Sequence, residues 1–372
     1  MPSDTSSRSS KYPLQAHTGL ARMLDTCHLR QPDATPIWFM RQAGSCLADH
    51  REMRKKYDVL TIAKTPALCT EVSVMPVREY GVDAAVLYAD IMLPLEGMGI
   101  SLEIKDTGPI IHNPIRSRQD IEALQVINAE EAVWFVMEAI RMVRRELNGQ
   151  QAVIGFSGGP FTLAYYLIEG GPSRDYPLAK ALMYGQPELW DALMSKLTDV
   201  VTDYLLAQIR AGIDVVQLFD SWVGTLSPSV YRRFVLPYSQ RIFHAVKQTG
   251  TPAIHFGTGT AALMNVMLEA GGDLIGVDWR VDLDEAWARV GYDHGIQGNL
   301  DPTVMLTEWS TIETVAQDIL DRAANRPGHI FNLGHAVQKG TDPNQLRRLV
   351  DFVHNFNPKQ VLEVAAATDT YR

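Results

Sequence analysis

The feature that most constrains the fold is a regular alternation of short β-branched runs with longer segments of helical periodicity. Runs of this kind are typical of buried parallel strands, and the helical segments between them predict βαβ units. The chain contains eight strand candidates: Pro36–Arg41, Ala84–Ile91, Ala152–Ser157, Asp214–Ser221, Ala253–Gly257, Leu274–Asp278, Gly295–Asn299 and His329–Gly334. The helical segments include Glu130–Leu147, Pro187–Ala211, Ser229–Gln248 and Gly259–Ala270. Eight units predict an α/β fold of the TIM type, a single closed (β/α)8 barrel, with an open doubly wound sheet as the alternative.

One segment interrupts this rhythm. Residues 100–111 contain two short apolar stretches on either side of Lys105-Asp106-Thr107-Gly108, which indicates a hairpin inserted after the second strand. The chain has 372 residues, within the range of one barrel, and no low-complexity linker divides it. We therefore expect a disordered Ser-rich tail over residues 1–12 and one domain over residues 13–372.

The bulk composition restricts the function classes. The net charge of −9 gives no basic face for a nucleic acid, and an anionic ligand needs a local cluster of cations. The three cysteines form no CxxC pair, so neither a disulfide framework nor a zinc ribbon is indicated. With no secretory signal and no apolar run of 18 residues, we expect a cytoplasmic enzyme that spans no membrane.

Polar residues and glycines follow almost every predicted strand. In a barrel, the active site is built at the carboxyl ends of the strands, so these positions converge on one opening. They are Arg41, Asp90, Ser157-Gly158-Gly159-Pro160, Ser221, Gly257, Asp278, Asn299 and His335. Some of them are expected to act only as helix caps.

Arg41 is the most informative of these positions. It follows the apolar run Pro36-Ile37-Trp38-Phe39, and a buried cation needs either a bound anion or a structural carboxylate such as Asp90. The turn Gln42-Ala43-Gly44 is expected to start a helix whose N–H groups face an anion. Arg51, further along, is either a second ligand or a solvated surface charge.

Three further features have open interpretations. The glycine-rich stretch Gly155–Thr162 matches neither the Walker pattern nor GxGxxG, so it is weak support for phosphate binding. Of Tyr165 and Tyr166, one is expected to pack in the core while the other presents its hydroxyl to a ligand. His335 is either structural or part of the site.

Taken together, these segments closely resemble the uroporphyrinogen decarboxylase family. The resemblance spans residues 36 to about 345 and is specific only as a set. The matching segments are Met40-Arg41-Gln42-Ala43-Gly44 with Leu47 and Arg51, Val82–Ile91, Gly155–Gly171, Leu218-Phe219-Asp220-Ser221, Gly298-Asn299-Leu300-Asp301-Pro302 and Asn332-Leu333-Gly334-His335.

The resemblance implies a cofactor-free and metal-free decarboxylase, usually a homodimer, that converts uroporphyrinogen III to coproporphyrinogen III. It implies that Asp90 accepts hydrogen bonds from the pyrrole N–H groups and that Arg41 pairs with substrate carboxylates and is a candidate proton source. Tyr166, Ser221 and His335 are implied to line the pocket.

The resemblance also assigns Gln42, Ala43, Gly44 and Ser45 to substrate binding, and here the chain departs from the family. The family has a second arginine where this chain has Ser45, and the drift continues over residues 48–50. We expect a weakened or altered decarboxylase.

Three rival functions remain. A corrinoid or thiol methyltransferase of the same superfamily binds zinc through His-x-Cys, but here the corresponding stretch is His255-Phe256-Gly257. A catalytically impaired porphyrinogen-binding paralogue is suggested only by Ser45. An unrelated phosphate-binding barrel enzyme would carry its glycine loop after the seventh or eighth strand, and the observed loop follows the third.

Overall fold

The computed structural model describes residues 17–44, 46–105 and 108–356. The predicted N-terminal tail, residues 13–16, Ser45 and the C-terminal residues 357–372 therefore lie outside the described residues. The strands are β1 (Ala84–Val86), β2 (Leu102–Lys105), β3 (Gly108–Ile111), β4 (Ala152–Gly158), β5 (Val215–Phe219), β6 (Ala253–Phe256), β7 (Leu274–Gly276), β8 (Gly295–Leu300) and β9 (His329–Leu333).

Helices surround and connect these strands. They are α1 (Gly19–Cys27), α2 (Ala48–Lys56), α3 (Val59–Lys64), α4 (Pro66–Tyr80), α5 (Leu93–Gly97), α6 (Arg118–Ala123), α7 (Ala129–Ala132), α8 (Trp134–Leu147), α9 (Pro160–Glu169), α10 (Pro177–Gly185), α11 (Pro187–Ala211), α12 (Pro228–Phe234), α13 (Leu236–Lys247), α14 (Met264–Ala270), α15 (Leu283–Val290), α16 (Trp309–Ala323) and α17 (Pro343–Asn355). Short 3₁₀ helices cover Val223–Thr225 and Pro302–Leu306. In the part of the chain described, no helix is long and apolar enough to cross a membrane.

Seven strands form one curled parallel sheet in the order β1-β4-β5-β6-β7-β8-β9. Each strand of this sheet pairs with the strand that follows it in the sequence, once β2 and β3 are left aside. This order is the one expected for successive βαβ units. The predicted α/β class with a parallel sheet is confirmed. The strands β2 and β3 pair antiparallel by themselves, with Lys105 opposite Gly108, and Asp106 and Thr107 lie outside the described residues.

The predicted first strand, Pro36–Arg41, is not a regular strand. Its only bridge joins Ile37 to Phe331 of β9. The Phe331 N–H donates to Pro36 O at 2.9 Å, and on the other side the Asp83 N–H donates to Ile37 O at 2.9 Å. The segment therefore lies between β9 and β1, but a turn begins at Phe39, where the Gln42 N–H donates to Phe39 O, and leaves too few residues for a ladder.

Successive residues along a strand pack alternately into two hydrophobic cores, one on each face of the sheet. In β5, Val215 packs in the interior of the curled sheet, whereas Val216 and Leu218 pack against the surrounding helices. Leu20 and Met23 of α1 pack into the interior core at the amino ends of the strands. This alternation is the expected two-residue period of a strand, here with both faces buried.

Several predicted boundaries are wrong for local reasons. The strand predicted to reach Ile91 ends at Val86, because the Tyr88 N–H donates to the Ser73 hydroxyl of α4 at 2.8 Å instead of to the sheet. The helix predicted over residues 229–248 breaks at Val235, because Pro237 has no N–H for a continuous helix.

Two other predicted helices are also shorter. The segment Glu130–Leu147 divides at Val133 into α7 and α8. The segment predicted from Gly259 becomes helical only at Met264, since the Gly259 N–H is held by the Asp278 carboxylate at 2.6 Å.

Candidate active site

Five polar residues are expected to form the centre of the site: Arg41, Asp90, Tyr166, Ser221 and His335. All of them lie beyond the carboxyl ends of the strands. The positive charge of Arg41 acts on three of the others, namely Asp90, Tyr166 and His335. Ser221 follows β5 in the same part of the fold. Their role as a site stays a prediction, and the spacing of each residue from its strand differs from the one expected.

Arg41 sits in a tight turn with a positive φ of 55°. Only a small fraction of residues other than glycine adopt this left-handed conformation, which points to a turn fixed by its surroundings. The side chain is exposed, and among the described residues it forms no ion pair or hydrogen bond. Although Asp90 lies within electrostatic range, the described part of the chain shows no salt bridge between Arg41 and Asp90, which was one of the two alternatives for Arg41. The guanidinium is therefore available for an external anion.

Gln42 fixes this turn rather than facing the site. Its Oε1 accepts the Phe39 N–H at 3.1 Å, and its Nε2 donates to Ala84 O at 2.9 Å, while the residue is only 2% exposed. Both ends of its side chain thus bond to the backbone, and its expected direct contact with a ligand stays a prediction.

The residues after Gln42 depart from prediction in another way. Ala43 is buried in the core, and Gly44 is half-buried. The helix expected at this turn starts only at Ala48, so no helix N-terminus faces the site here. Arg51 is exposed and donates to Cys46 O at 2.8 Å, which favours a structural role for it.

Asp90 lies four residues beyond the end of β1, not at the strand end itself. Burial raises the pKa of its carboxyl group, while the Met92 N–H and the charge of Arg41 act in the opposite direction. The Met92 N–H donates to Asp90 Oδ1 at 2.9 Å, and this bond fixes the orientation of the carboxylate. A poorly solvated carboxylate beside a cation is a typical arrangement of a functional site.

The two adjacent tyrosines of α9 separate as expected. Tyr165 is fully buried, with its ring centroid 4.4 Å from that of Tyr176. Tyr166 is only half-buried and lies edge-on to Trp222 at 6.1 Å between ring centroids. Burial raises the pKa of Tyr166, and the nearby Asp90 raises it further, so the hydroxyl stays protonated and can donate.

Ser221 is half-buried and is held by its neighbours in the loop after β5. Its carbonyl oxygen accepts the Thr258 hydroxyl at 2.5 Å. The preceding Asp220 is fully buried; its Oδ1 accepts the Thr162 hydroxyl at 3.2 Å, and its Oδ2 lies 3.7 Å from His255 Nε2. Asp220 therefore anchors the loop, and Ser221 is the residue of the pair that reaches the opening.

His335 lies two residues after the end of β9 and is half-buried. Burial lowers the pKa of its imidazole, and the positive charges of Arg41 and Arg280 lower it further, against the effect of Asp278. Its ring centroid lies 6.5 Å from that of Phe256. A neutral His335 is thus the favoured form at physiological pH.

A row of aromatic rings below these polar groups was not predicted. Phe219 packs edge-on to Phe156 at 5.4 Å and to Phe256 at 5.8 Å, and Phe219 is half-buried. Each ring belongs to one of three neighbouring strands and lies on the inward-facing side of the alternation. The two-residue period of the strands could have revealed this aromatic floor, whereas the polar residues at the strand ends do not point to it. Phe156 and Phe256 are buried and Phe219 is partly exposed, so the floor presents an apolar ring at Phe219.

The glycine-rich stretch after β4 has a packing explanation. A Cβ on Gly159 would lie 2.7 Å from Asp220 Oδ1, and one on Gly155 would lie 2.4 Å from Gln208 Oε1. Gln208 in turn exchanges hydrogen bonds with both backbone groups of Phe156. The glycines therefore permit close approach of α11 and the β5 loop, and phosphate binding is not needed to explain them.

Comparison with known proteins decides the family. The uroporphyrinogen decarboxylase (URO-D) family model matches residues 18–356. The chain belongs to the uroporphyrinogen decarboxylase family. A protein named uroporphyrinogen decarboxylase from Sorangium cellulosum is 50% identical, with 90% of this chain and 96% of that protein covered. One of the same name from Carboxydothermus hydrogenoformans is 49% identical, with 91% and 98% covered.

A methyltransferase from Methanosarcina mazei has a similar fold, with a TM-score of 0.76 at 17% identity; 90% of this chain and 98% of that chain are covered. At this identity the likeness concerns the fold alone. Within the described residues, no three His, Cys, Asp or Glu side chains are grouped closely enough to hold a metal ion. The donor set thus gives no support to the zinc-binding methyltransferase alternative.

Proposed function

We propose that this protein is a uroporphyrinogen decarboxylase, which converts uroporphyrinogen III to coproporphyrinogen III by removing four acetate carboxyl groups. Family membership and relatives named for this activity support the proposal. The observation that carries it is the position of Asp90, a fixed and poorly solvated carboxylate within range of Arg41 and Tyr166. A pyrrolic macrocycle presents N–H donors at its centre and carboxylates at its rim, which matches a central acceptor with a peripheral cation.

The reaction needs a place for the electrons of the broken carbon–carbon bond. Protonation of the pyrrole α-carbon makes the ring that electron acceptor. Carbon dioxide then leaves and the electron pair of the broken bond enters the ring. Protonation of the exocyclic carbon gives the methyl group, and loss of the proton first added to the α-carbon restores the neutral pyrrole. In our proposal Asp90 accepts the pyrrole N–H bonds and stabilises the positive ring that forms. Such electrostatic stabilisation is often the largest catalytic contribution.

Arg41 is proposed to pair with an acetate carboxylate and to be a candidate proton source. Its guanidinium has donors in a fixed fork that suits a carboxylate, and its unpaired state among the described residues supports this role. Gln42 acts through the turn that it braces, as a positioning residue. Tyr166 and His335 are proposed to donate to or orient the remaining acetate and propionate groups, together with Ser221.

The aromatic floor of Phe156, Phe219 and Phe256 extends this proposal. The partly exposed ring of Phe219, supported edge-on by the other two, suits a macrocycle with an apolar body and a charged rim. Its carboxylates then lie at the edge, where the guanidinium of Arg41 is available to pair with one of them.

Further properties follow from the family resemblance and are proposed with it. We propose that the sheet is completed by the segment 36–41 as an eight-membered barrel, and that residues 13–372 are one domain. We also propose a cytoplasmic homodimer that works without cofactor or metal. Size-exclusion chromatography with light scattering tests the dimer, and metal analysis of active protein tests the metal-free reaction.

The decisive experiment is an anaerobic assay with uroporphyrinogen III that separates products with eight, seven, six, five and four carboxylates. Stepwise conversion to the tetracarboxylate is expected. Tight binding without carbon dioxide release would instead establish the impaired binding paralogue. Accumulation of a partly decarboxylated intermediate would locate a defect in substrate handling, with Ser45 as the first position to examine.

A further inference from the structure

Arg280 lies in the loop after β7, which is held firmly against the end of β9. The Asn299 amide donates to Asp278 O at 3.0 Å and to Val281 O at 2.7 Å, so one side chain fixes both ends of the loop. On the other side, a Cβ on Gly334 would lie 2.6 Å from the Trp279 N atom. The loop therefore has a defined position beside the strand end that carries His335.

The side chain of Arg280 is organised but only partly used. Its Nη1 donates to Asp278 Oδ2, and its guanidinium lies 4.2 Å from the centroid of the Trp279 ring. Asp278 is itself 2% exposed and also accepts the Gly259 N–H at 2.6 Å, so it is a rigid anchor. The Arg280 side chain remains 52% exposed. Among the described residues, its other guanidinium N–H groups have no acceptor.

Arg280 shares its electrostatic surroundings with the proposed site. Its charge and that of Arg41 both act on the half-buried His335. Two positive charges, one on the β7 loop and one in the turn at residue 41, are thus within electrostatic range of one histidine, and the β7 loop packs against Gly334 beside it. In a chain of net charge −9, such local clustering is what an anionic ligand requires.

We propose that Arg280 binds a peripheral carboxylate of the substrate, and thereby determines specificity for highly carboxylated macrocycles. This inference rests on the proposed function. The bound group is an acetate or a propionate; in either case the ligand is a carboxylate, and the free N–H groups of a guanidinium held by Asp278 and Trp279 are already oriented for it.

The test compares Arg280→Gln with Arg280→Lys in the decarboxylation assay. Glutamine retains an N–H donor for Asp278 but loses the charge, whereas lysine retains the charge. Arg241→Gln is the matched control, because Arg241 is similarly exposed at 51% and is paired with Asp199 on the outer helices. Binding of uroporphyrin, an oxidised octacarboxylate, is followed by fluorescence as a second measurement.

For Arg280→Gln we expect about a tenfold increase in KM and in the uroporphyrin Kd, with kcat nearly unchanged, as for a contact made equally in the ground and transition states. Arg280→Lys should recover part of this loss, and Arg241→Gln should show none. The Kd of coproporphyrin, which carries propionates but no acetates, separates the two groups: weaker binding of uroporphyrin alone identifies an acetate, and equally weaker binding of both porphyrins identifies a propionate.

An unchanged KM and Kd in folded Arg280→Gln would overturn the inference. An equal increase in KM and Kd in Arg241→Gln would also overturn the inference, because a general charge effect would then explain the result. Failure of the unmodified protein to release carbon dioxide would refute the proposed decarboxylase instead, and the uroporphyrin Kd would still test the role of Arg280.

Discussion

Replacement of Asp90 with asparagine is the sharpest test of the proposed chemistry. Asparagine retains an oxygen that can accept the Met92 N–H, now 2.9 Å from Asp90 Oδ1, so the local turn is preserved. The change removes the negative charge that would face the protonated pyrrole. The variant therefore separates charge from geometry.

The expected loss follows from the surroundings of this carboxylate. Asp90 is sufficiently desolvated that burial raises its pKa, so its charge acts through a medium less polar than water. At an effective dielectric of about 20, two unit charges about 4 Å apart interact by roughly 4 kcal/mol. Loss of about 3–4 kcal/mol of transition-state stabilisation lowers kcat by roughly 10²- to 10³-fold.

The pH dependence of kcat/KM provides an independent test of this role. The active form of Asp90 in this mechanism is the carboxylate, so kcat/KM should fall as the pH decreases through its raised pKa. Asp90→Asn should lack this acid limb. Because a raised carboxyl pKa means that the ionised form destabilises the fold at neutral pH, the variant should be at least as stable as the parent.

The assay is anaerobic single-turnover decarboxylation, with thermal unfolding measured on the same samples. Asp342→Asn is the matched control, since Asp342 accepts the Asn344 N–H at 2.9 Å in the same two-residue geometry but caps the exposed start of α17. A folded Asp90→Asn protein that retains its rate within about threefold would refute the electrostatic role.

Three further predictions use other parts of the chain. Ser45→Arg should accelerate turnover by roughly ten- to a hundredfold, as expected when one charge-assisted carboxylate contact is restored, and no gain in a folded variant would show that this position does not limit activity. Phe219→Ala should raise KM about tenfold through lost contact with the macrocycle, measured by steady-state kinetics; an unchanged KM would contradict the role of the floor. Burial lowers the pKa of His329 from 6.5 to about 4, so its neutral form is required in the fold and stability should decrease by roughly 3 kcal/mol as the pH falls from 6.5 to 4. His329→Gln, which retains a donor for Gly298 O, should reduce that slope in urea titrations, and an identical slope would show that other groups control it.

The positions of the chemical groups were predicted better than their spacing. Asp90 and Arg41 were both expected at strand ends, and both instead lie in turns, Asp90 four residues after β1. The reason is local competition for hydrogen bonds, because the Ser73 hydroxyl and the Gln42 side chain take backbone groups that the sheet would otherwise use. Sequence periodicity reports on burial, and it does not report on such side-chain partners.

The sequence by itself determined the alternation of strands and helices, the convergence of polar residues at one end of the sheet, and the family resemblance. These properties depend on local periodicity and on residue identity at fixed spacing, which the chain carries before it folds. Tertiary structure alone decided that Gln42 braces a turn, that Phe219 joins an aromatic floor, and that Arg280 lies near His335. Each of these depends on contacts between segments that are distant in sequence, and such contacts exist only when the sheet curls and brings its strand ends together.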